Sequence, residues 1–512
     1  MFSKIKSSVC LGIEGKAVTV ETDISKGLPN MNIVGLASTS IMEARERIKL
    51  AIMNSGYEYP RGRITVNLTP ADIHKSGSNL DLPMAIAVLT SMQYIDRRKV
   101  CEYGMIGELS LDGNVLGVDG VLPMLLCMAE RGIKNIIIPE SNISEASLVN
   151  GVNIIAIKSL RECVDLINDY NGHASVQDMS THLLVEKISN PECLDYSDIK
   201  GQELAKRAIT IAVTGRHGLL MVGSPGCGKS MIAKRIPTIM PPMSSSELVE
   251  TAIIYSIVGK NNRDGTICID RPFRSPHNSI GRAGLLGGGN ACPIPGEITL
   301  AHNGVLFLDE VCEFDRDKIE SLRQPIEEKT ITHIRNGITY TFPCNFQLVM
   351  AANPCKCGYY GDSERLCKCT QSQLYQYRRK LSGPMMERID LRIRMDNVSY
   401  EEISDRDNHN KSSTEMRRAV EKGIAFAGKM GRVKANGDMS DADIEKFCSI
   451  GEAEQALMKE AYSKLSLSPR SYKKVLKVAR TIADIDESES IRCEHLAEAL
   501  SYRVMNSINE AT

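Results

Sequence analysis

Net charge is almost absent from this chain. Its 62 Lys and Arg stand against 63 Asp and Glu over 512 residues, leaving −1 at pH 7. No whole-molecule field draws it to nucleic acid, so any nucleic-acid surface has to be a local patch. A run of about 18 apolar residues is also missing, which excludes a membrane-spanning helix. The opening Met1-Phe2-Ser3-Lys4-Ile5-Lys6 has neither the apolar core nor the cleavage site of a signal peptide. The expected location is the cytoplasm, with no membrane partner. Internal repeats and low-complexity tracts are lacking too. What remains, at 42% hydrophobic and 24% charged residues, is a globular composition in a chain too long for a single core. Cysteine, by contrast, is plentiful. The 16 thiols are expected to be reduced, buried or metal-bound rather than disulfide-paired.

The strongest signal is Gly223-Ser224-Pro225-Gly226-Cys227-Gly228-Lys229-Ser230, which fills every fixed position of G-x-x-x-x-G-K-[ST]. A short apolar run, Gly218 to Val222, precedes it and a helical pattern follows. Strand, glycine-rich turn and helix start make a phosphate cradle. Backbone N–H groups turn inward, Lys229 meets the β/γ-phosphates and the Ser230 hydroxyl holds Mg²⁺. ATP with Mg²⁺ is the expected cofactor pair.

Further elements follow in order. Val305-Leu306-Phe307-Leu308 reads as a buried strand ending in Asp309-Glu310. Asp309 suits a Mg²⁺ ligand and Glu310 the group that polarises the attacking water. Gln347 to Ala352 is another apolar strand, and the Asn353 after it is either a γ-phosphate sensor or an ordinary strand-end turn residue. Arg388, in Glu387-Arg388-Ile389-Asp390, reads as an arginine finger for a neighbouring subunit, or as a structural partner of Glu387 or Asp390. Arg470 opens a helix near the C-terminus and is a candidate second sensor.

In this order the elements resemble AAA+ ATPases. The stretches Pro272 to His277, Gly287-Gly288-Gly289, Pro295 to His302, Leu381 to Leu391 and Arg480 to Asp484 are similar to the magnesium-chelatase group. With the block in front of them, they resemble the YifB/ComM family of Mg-chelatase-like ATPases over nearly the whole chain. The resemblance implies an α/β fold: a P-loop AAA+ core with a helical C-terminal lid, preceded by an S5 domain 2-like (Lon-type) α/β domain. The expected units are residues 1–168, a polar linker at 169–194 with one amphipathic patch at His182 to Ile188, the core at 195–396, and the lid at 397–512. The resemblance also implies a homo-hexameric ring acting on DNA as a helicase or branch-migration motor, with Arg470 acting on its own or on a neighbour's nucleotide.

Two features carry their own readings. Cys355-Lys356-Cys357 and Cys367-Lys368-Cys369 offer four thiolates to a tetrahedral Zn²⁺, or are four free cysteines in a loop at 355–369. Thr330 to Ile334 and Ile338 to Phe342 flank Asn336-Gly337, a strong hairpin signal. The resemblance to ring-shaped AAA+ helicases, in which a hairpin between the acidic strand and the sensor strand enters the central channel, implies that Arg335 and His333 grip a DNA phosphate backbone; the alternative is a solvated edge. The short basic runs Arg378-Arg379-Lys380, Lys473-Lys474 and Arg61-Gly62-Arg63 read as solvated surface.

The N-terminal block resembles the Lon-type protease domain around Pro70 to Ser78 and Gly132 to Pro139. That protease uses a Ser–Lys dyad. Here Asn79 and Leu122 occupy the two positions, so proteolysis is not expected, and the block reads as a DNA-binding or ring-forming platform. Three rivals to a DNA motor stay open at this point: a chelatase motor needing a partner subunit, a regulatory ATPase without DNA activity, and a Lon-like protease.

Overall fold

The computed structural model of the protein describes residues 2–36, 38–73, 75, 77–168, 194–259, 270–289, 292–362, 365–398, 400, 402 and 410–504. Nearly all of the predicted linker and its patch at His182 to Ile188 therefore lie outside the described residues.

The N-terminal unit is a seven-stranded sheet. Its order is Asn30–Val34, Arg63–Thr69, Glu14–Ser25, Phe2–Leu11, Tyr103–Met105, Asn135–Pro139 and Asn153–Ile157. Phe2–Leu11 pairs antiparallel with Glu14–Ser25 and parallel with Tyr103–Met105. Pairing is thus mixed on one side and parallel on the other. The helix Asp81–Ser91 is buried along its whole length. It is apolar on every side because sheet and neighbouring helices enclose it. The serines on Phe2–Leu11 are tolerated inside because each hydroxyl finds a carbonyl: Ser3 donates to Ala87 at 2.7 Å and Ser7 to Met105 at 2.8 Å.

The core is a five-stranded sheet in the order Phe273–Arg274, Val305–Leu308, Gln347–Ala352, Leu219–Gly223, Leu391–Met395. Every pairing is parallel. The phosphate-loop strand sits between the sensor strand and Leu391–Met395. Val305–Leu308 and Gln347–Ala352 are buried at every position, as a parallel sheet covered on both faces requires. Arg274 and Glu297, from two of the chelatase-like stretches, pair side-on at 2.6 and 2.7 Å and fix the strand edge.

The lid comprises the helices Ser413–Lys429, Asp441–Phe447, Glu452–Lys464, Pro469–Ile485 and Cys493–Val504. Capping boxes at Ser412/Glu415 and Ser440/Asp443 start the first two. The chelatase-like run Arg480 to Asp484 proves to be lid architecture. Arg480 and Arg432 both bond the buried Asp484, and Asn436 bonds its second oxygen at 2.7 Å. Removing one partner strands a buried charge, at about 3–5 kcal/mol. Ile209 and Ile393 of the core share one apolar cluster with Val420, Leu476 and Ile482 of the lid.

The helix Ser245–Ile257 joins the N-terminal unit to the core. Its Ala252 packs into the cluster around Val121–Glu130. The Ser256 carbonyl accepts from Gly120 N at 3.0 Å, and its hydroxyl donates to Glu145 at 2.5 Å.

Candidate active site

The P-loop leaves its strand at the C-terminal sheet edge, where ligands bind in open α/β folds. Gly226 and Gly228 hold φ of +88° and +93°, the left-handed turn that points backbone N–H groups inward. Lys229 is buried. Its ammonium donates to the carbonyls of Gly223 at 2.7 Å and Ser224 at 2.9 Å, and to Asn353 Oδ1 at 3.1 Å. The Ser230 hydroxyl donates to Asp309 Oδ2 at 2.5 Å. Segments far apart in sequence therefore meet at the loop, with one hydroxyl and one carboxylate placed together as a Mg²⁺ site needs. Glu310 follows at φ +49°, a strained backbone for a non-glycine residue that costs about 1–3 kcal/mol. The twist leaves its carboxylate exposed beside Asp309.

Arg388 and Arg470 lie elsewhere. Leu219 pairs with Leu391 and Gly223 with Met395, so Arg388 falls at the N-terminal edge of the sheet. Its carbonyl is near Gly218. The P-loop is at the other end of this strand, roughly 13 Å away. At the N-terminal edge a cavity of about 750 Å³ is lined by Arg216, Glu327, Arg388, Arg470, Lys473 and Lys474, among others. Arg388 pairs with Glu327 at 2.9 Å, and Arg470 bonds the same carboxylate oxygen. Burial opposes the charge on Glu327. The Arg470 hydrogen bond and the Arg388 charge outweigh it and hold the carboxyl below its ordinary value. The local partners expected for Arg388 are thus replaced by Glu327. Asp390 is instead taken by Lys474 at 2.5 Å and lies 3.5 Å from His217. This also corrects the reading of two basic runs as solvated surface. Lys474 is committed to Asp390, and the buried Arg378 stacks over Tyr360 at 4.6 Å.

The four cysteines converge. The Sγ atoms of Cys355, Cys357 and Cys367 are 3.3–3.6 Å apart, and Cys369 joins them within 4.8 Å. A tetrahedral Zn–S₄ centre with bonds of about 2.3 Å has sulfur edges of about 3.8 Å, so the donor set fits. Burial raises the Cys357 thiol, but the backbone donors of Tyr359 and Lys368 outweigh it and bring it to about 6. Burial and the neighbouring sulfurs push Cys367 up to about 12. The loop leans on the P-loop: Gly358 faces Pro225. Ser224 donates to Asn397 at 2.7 Å, and Asn397 donates to Asp362 at 3.4 Å.

The hairpin Thr330–Arg335/Ile338–Pro343 forms as predicted. Arg335 is exposed, yet its Nε donates to Gly289 O at 3.0 Å, and His333 Nε2 lies 3.2 Å from Leu286 O. Both predicted DNA contacts are tied to the three-glycine turn rather than standing free at the tip. In the N-terminal unit, Asn79 is buried and donates to Ser8 O at 2.8 Å, and Leu122 is fully buried. Ser78 bonds Glu108, and Lys75 is enclosed by the carbonyls of Gly35, Leu68 and Pro70.

Glu327 was missed from sequence, and Gly358, legible as a turn residue between the cysteine pairs, was not foreseen against Pro225. A Glu before a hairpin and a Gly between cysteine pairs carry no pattern that names their distant contacts.

A parallel sheet in this strand order, with the P-loop, acidic strand end and the Asn353 amide at one edge and a helical lid on the flank, defines an AAA+ ATPase fold. Residues 195–403 match the family "Magnesium chelatase, subunit ChlI", residues 20–142 "Subunit ChlI of Mg-chelatase", and residues 410–503 "Magnesium chelatase, subunit ChlI C-terminal". The chain is 38% identical over 508 residues to "Competence protein ComM" of Haemophilus influenzae, covering 98% of this chain and 97% of that protein. It is 38% identical over 506 residues to "Uncharacterized protein YifB" of Escherichia coli, covering 99% and 98%. An "Archaeal Lon protease" of Methanocaldococcus jannaschii is 26% identical over 155 residues, 29% of this chain and 24% of that protein. The chain belongs to the YifB/ComM family of Mg-chelatase-like ATPases. No helix among the described residues is long and apolar enough to cross a membrane.

Proposed function

We propose that the protein hydrolyses ATP with Mg²⁺ in a homo-hexameric ring and couples turnover to remodelling of DNA. Lys229 and the P-loop amides bind the phosphates, Ser230 and Asp309 hold Mg²⁺, Glu310 polarises the water, and Asn353 orients it. Arg388 and Arg470 act on the nucleotide of the adjacent protomer. One observation carries the ring. These two arginines stand together at the sheet edge opposite their own P-loop, beyond the reach of a side chain. A Zn²⁺ on the four cysteines is a structural centre with no open position. The DNA assignment draws on the relative named a competence protein and on the hairpin beside the glycine-rich turn, where Arg335 and His333 would meet phosphates.

Complementation tests the shared site. Lys229→Ala and Arg388→Ala are each expected to abolish turnover. Mixed in equal amounts they regain activity, because about a quarter of interfaces in a randomly mixed ring are complete. A mixture as inert as its parts refutes action across the interface. Turnover measured with and without forked or three-stranded DNA tests the second half. Arg335→Ala is expected to lose the DNA stimulation and keep basal turnover. A wild-type rate indifferent to DNA favours a chelatase-like or regulatory motor instead.

A further inference from the structure

Glu327 is the carboxylate on which both trans-acting arginines converge. Arg388 pairs with it at 2.9 Å and Arg470 bonds the same oxygen, so two like charges share one acceptor atom. Nothing else in their bonding explains the convergence. Arg388 also donates to Pro384 O at 2.8 Å, and its buried Nε has no partner among the described residues. Arg470 is half exposed in the first turn of its helix. One helical turn further along, Lys474 donates to the Arg388 carbonyl at 2.6 Å and to Asp390 at 2.5 Å. The lid helix and the finger loop are therefore fastened at a second point that does not involve Glu327.

Such an arrangement is unequal to a competing phosphate. A γ-phosphoryl group presents several charged oxygens, enough for each guanidinium to have its own, whereas Glu327 gives them one between them. The consequence for the rest of the chain follows from where Glu327 sits. It is on the short helix Arg323–Glu328, and only Lys329, in the left-handed region at φ +58°, separates that helix from the hairpin strand Thr330–Arg335. Glu327 thus lies three residues before the hairpin strand that begins at Thr330. Lys329 itself pairs with Asp438 of the lid at 3.1 Å.

We infer that Glu327 is a positioning residue that holds Arg388 and Arg470 as a pair until the neighbouring protomer's triphosphate displaces it, and that its release passes nucleotide occupancy to the hairpin. The inference rests on the proposed trans action of the two arginines.

Glu327→Gln keeps the shape and removes the charge. As a half-exposed site it tolerates the change, and circular dichroism with a thermal scan checks the fold. Removing the competitor for the half-exposed Arg470 and the nearly buried Arg388 is expected to lower KM for ATP about three- to tenfold, with kcat within about twofold. DNA stimulation is expected to fall towards none. Glu327→Asp, which keeps the charge, is expected to restore most of the wild-type KM and DNA response. An unchanged KM in Glu327→Gln overturns the inference, as does a loss of kcat at constant KM. Arg388→Ala, run alongside, separates two failures. If it leaves turnover intact, the trans-arginine reading itself falls. If it abolishes turnover while Glu327→Gln behaves as wild type, only the role given to Glu327 falls.

Discussion

Replacing Gly358 by Ala tests whether the cysteine loop supports the nucleotide site. Gly358 holds φ +87°, and a Cβ there would stand 2.5 Å from Pro225 Cδ and 2.6 Å from Cγ. Carbon atoms rest at about 3.5–4.0 Å, so one side has to retreat by about 1 Å. Pro225 has no rotamer to escape into, because its ring fixes φ. The displacement then passes into the P-loop backbone, whose next residue on one side, Ser224, is anchored to Asn397. The left-handed backbone adds about 1–2 kcal/mol for a residue with a Cβ, and overpacking typically about 1–3 kcal/mol. A shift of about 1 Å in a group that positions a reacting phosphate costs on the order of 100-fold in rate. The assay is steady-state ATP turnover beside equilibrium binding of a fluorescent ATP analogue, with metal content measured on the same samples. The expected result is a turnover loss of that order with a weaker ATP affinity and an intact metal centre. Unchanged turnover and affinity, with the strain appearing only as lost metal or a lower melting temperature, refutes the reasoning. The cysteine loop would then be yielding to the P-loop rather than bracing it.

The metal reading predicts about one equivalent of zinc per chain in protein purified without chelator, and less than about half an equivalent counts against it. Stripping the metal should lower the melting temperature and weaken ATP binding together, since Cys355 is only two residues beyond Asn353. Glu145, at the seam between the N-terminal unit and the core, gives a pH signature. Burial, and after it the charge of Asp119, raise its carboxyl from about 4.5 to about 7 against the Ser256 hydrogen bond. The folded value lies above the unfolded one, so its contribution is complete below about pH 4.5 and is lost as pH rises through about 7, by about 3 kcal/mol at most. Glu145→Gln should therefore melt above wild type at pH 8 and close to it at pH 5. Parallel melting curves across that range would contradict the assignment.

The sequence exposed chemistry wherever a reaction restricts residue type at a fixed local spacing. Gly226 and Gly228 were legible because a phosphate turn needs left-handed backbone, and Asp309-Glu310 because the acids terminate an apolar strand. Asn336-Gly337 announced its hairpin for the same local reason. Legibility ends where a role is made by tertiary contact. From sequence, Arg388 had Glu387 and Asp390 as apparent partners, but Asp390 is drawn to Lys474 by the lid. Arg388 turns instead to Glu327, on a helix that the sequence gives no means of placing beside it. The run Arg480 to Asp484 shows the converse. From sequence it carries only a family likeness, and the burial of Asp484 between two guanidinium groups makes it the fastening of the lid. The Arg388 case turns on one geometric fact. The parallel strands that put Lys229 and Asp309 at one edge of the sheet carry Arg388 to the other, so a protomer holds two halves that do not fit each other. A chain with this topology gains nothing from bringing its own arginines nearer its own P-loop. In the proposed ring it gains from holding them ready at the far edge, where a second copy would present a phosphate and where Glu327 bonds both.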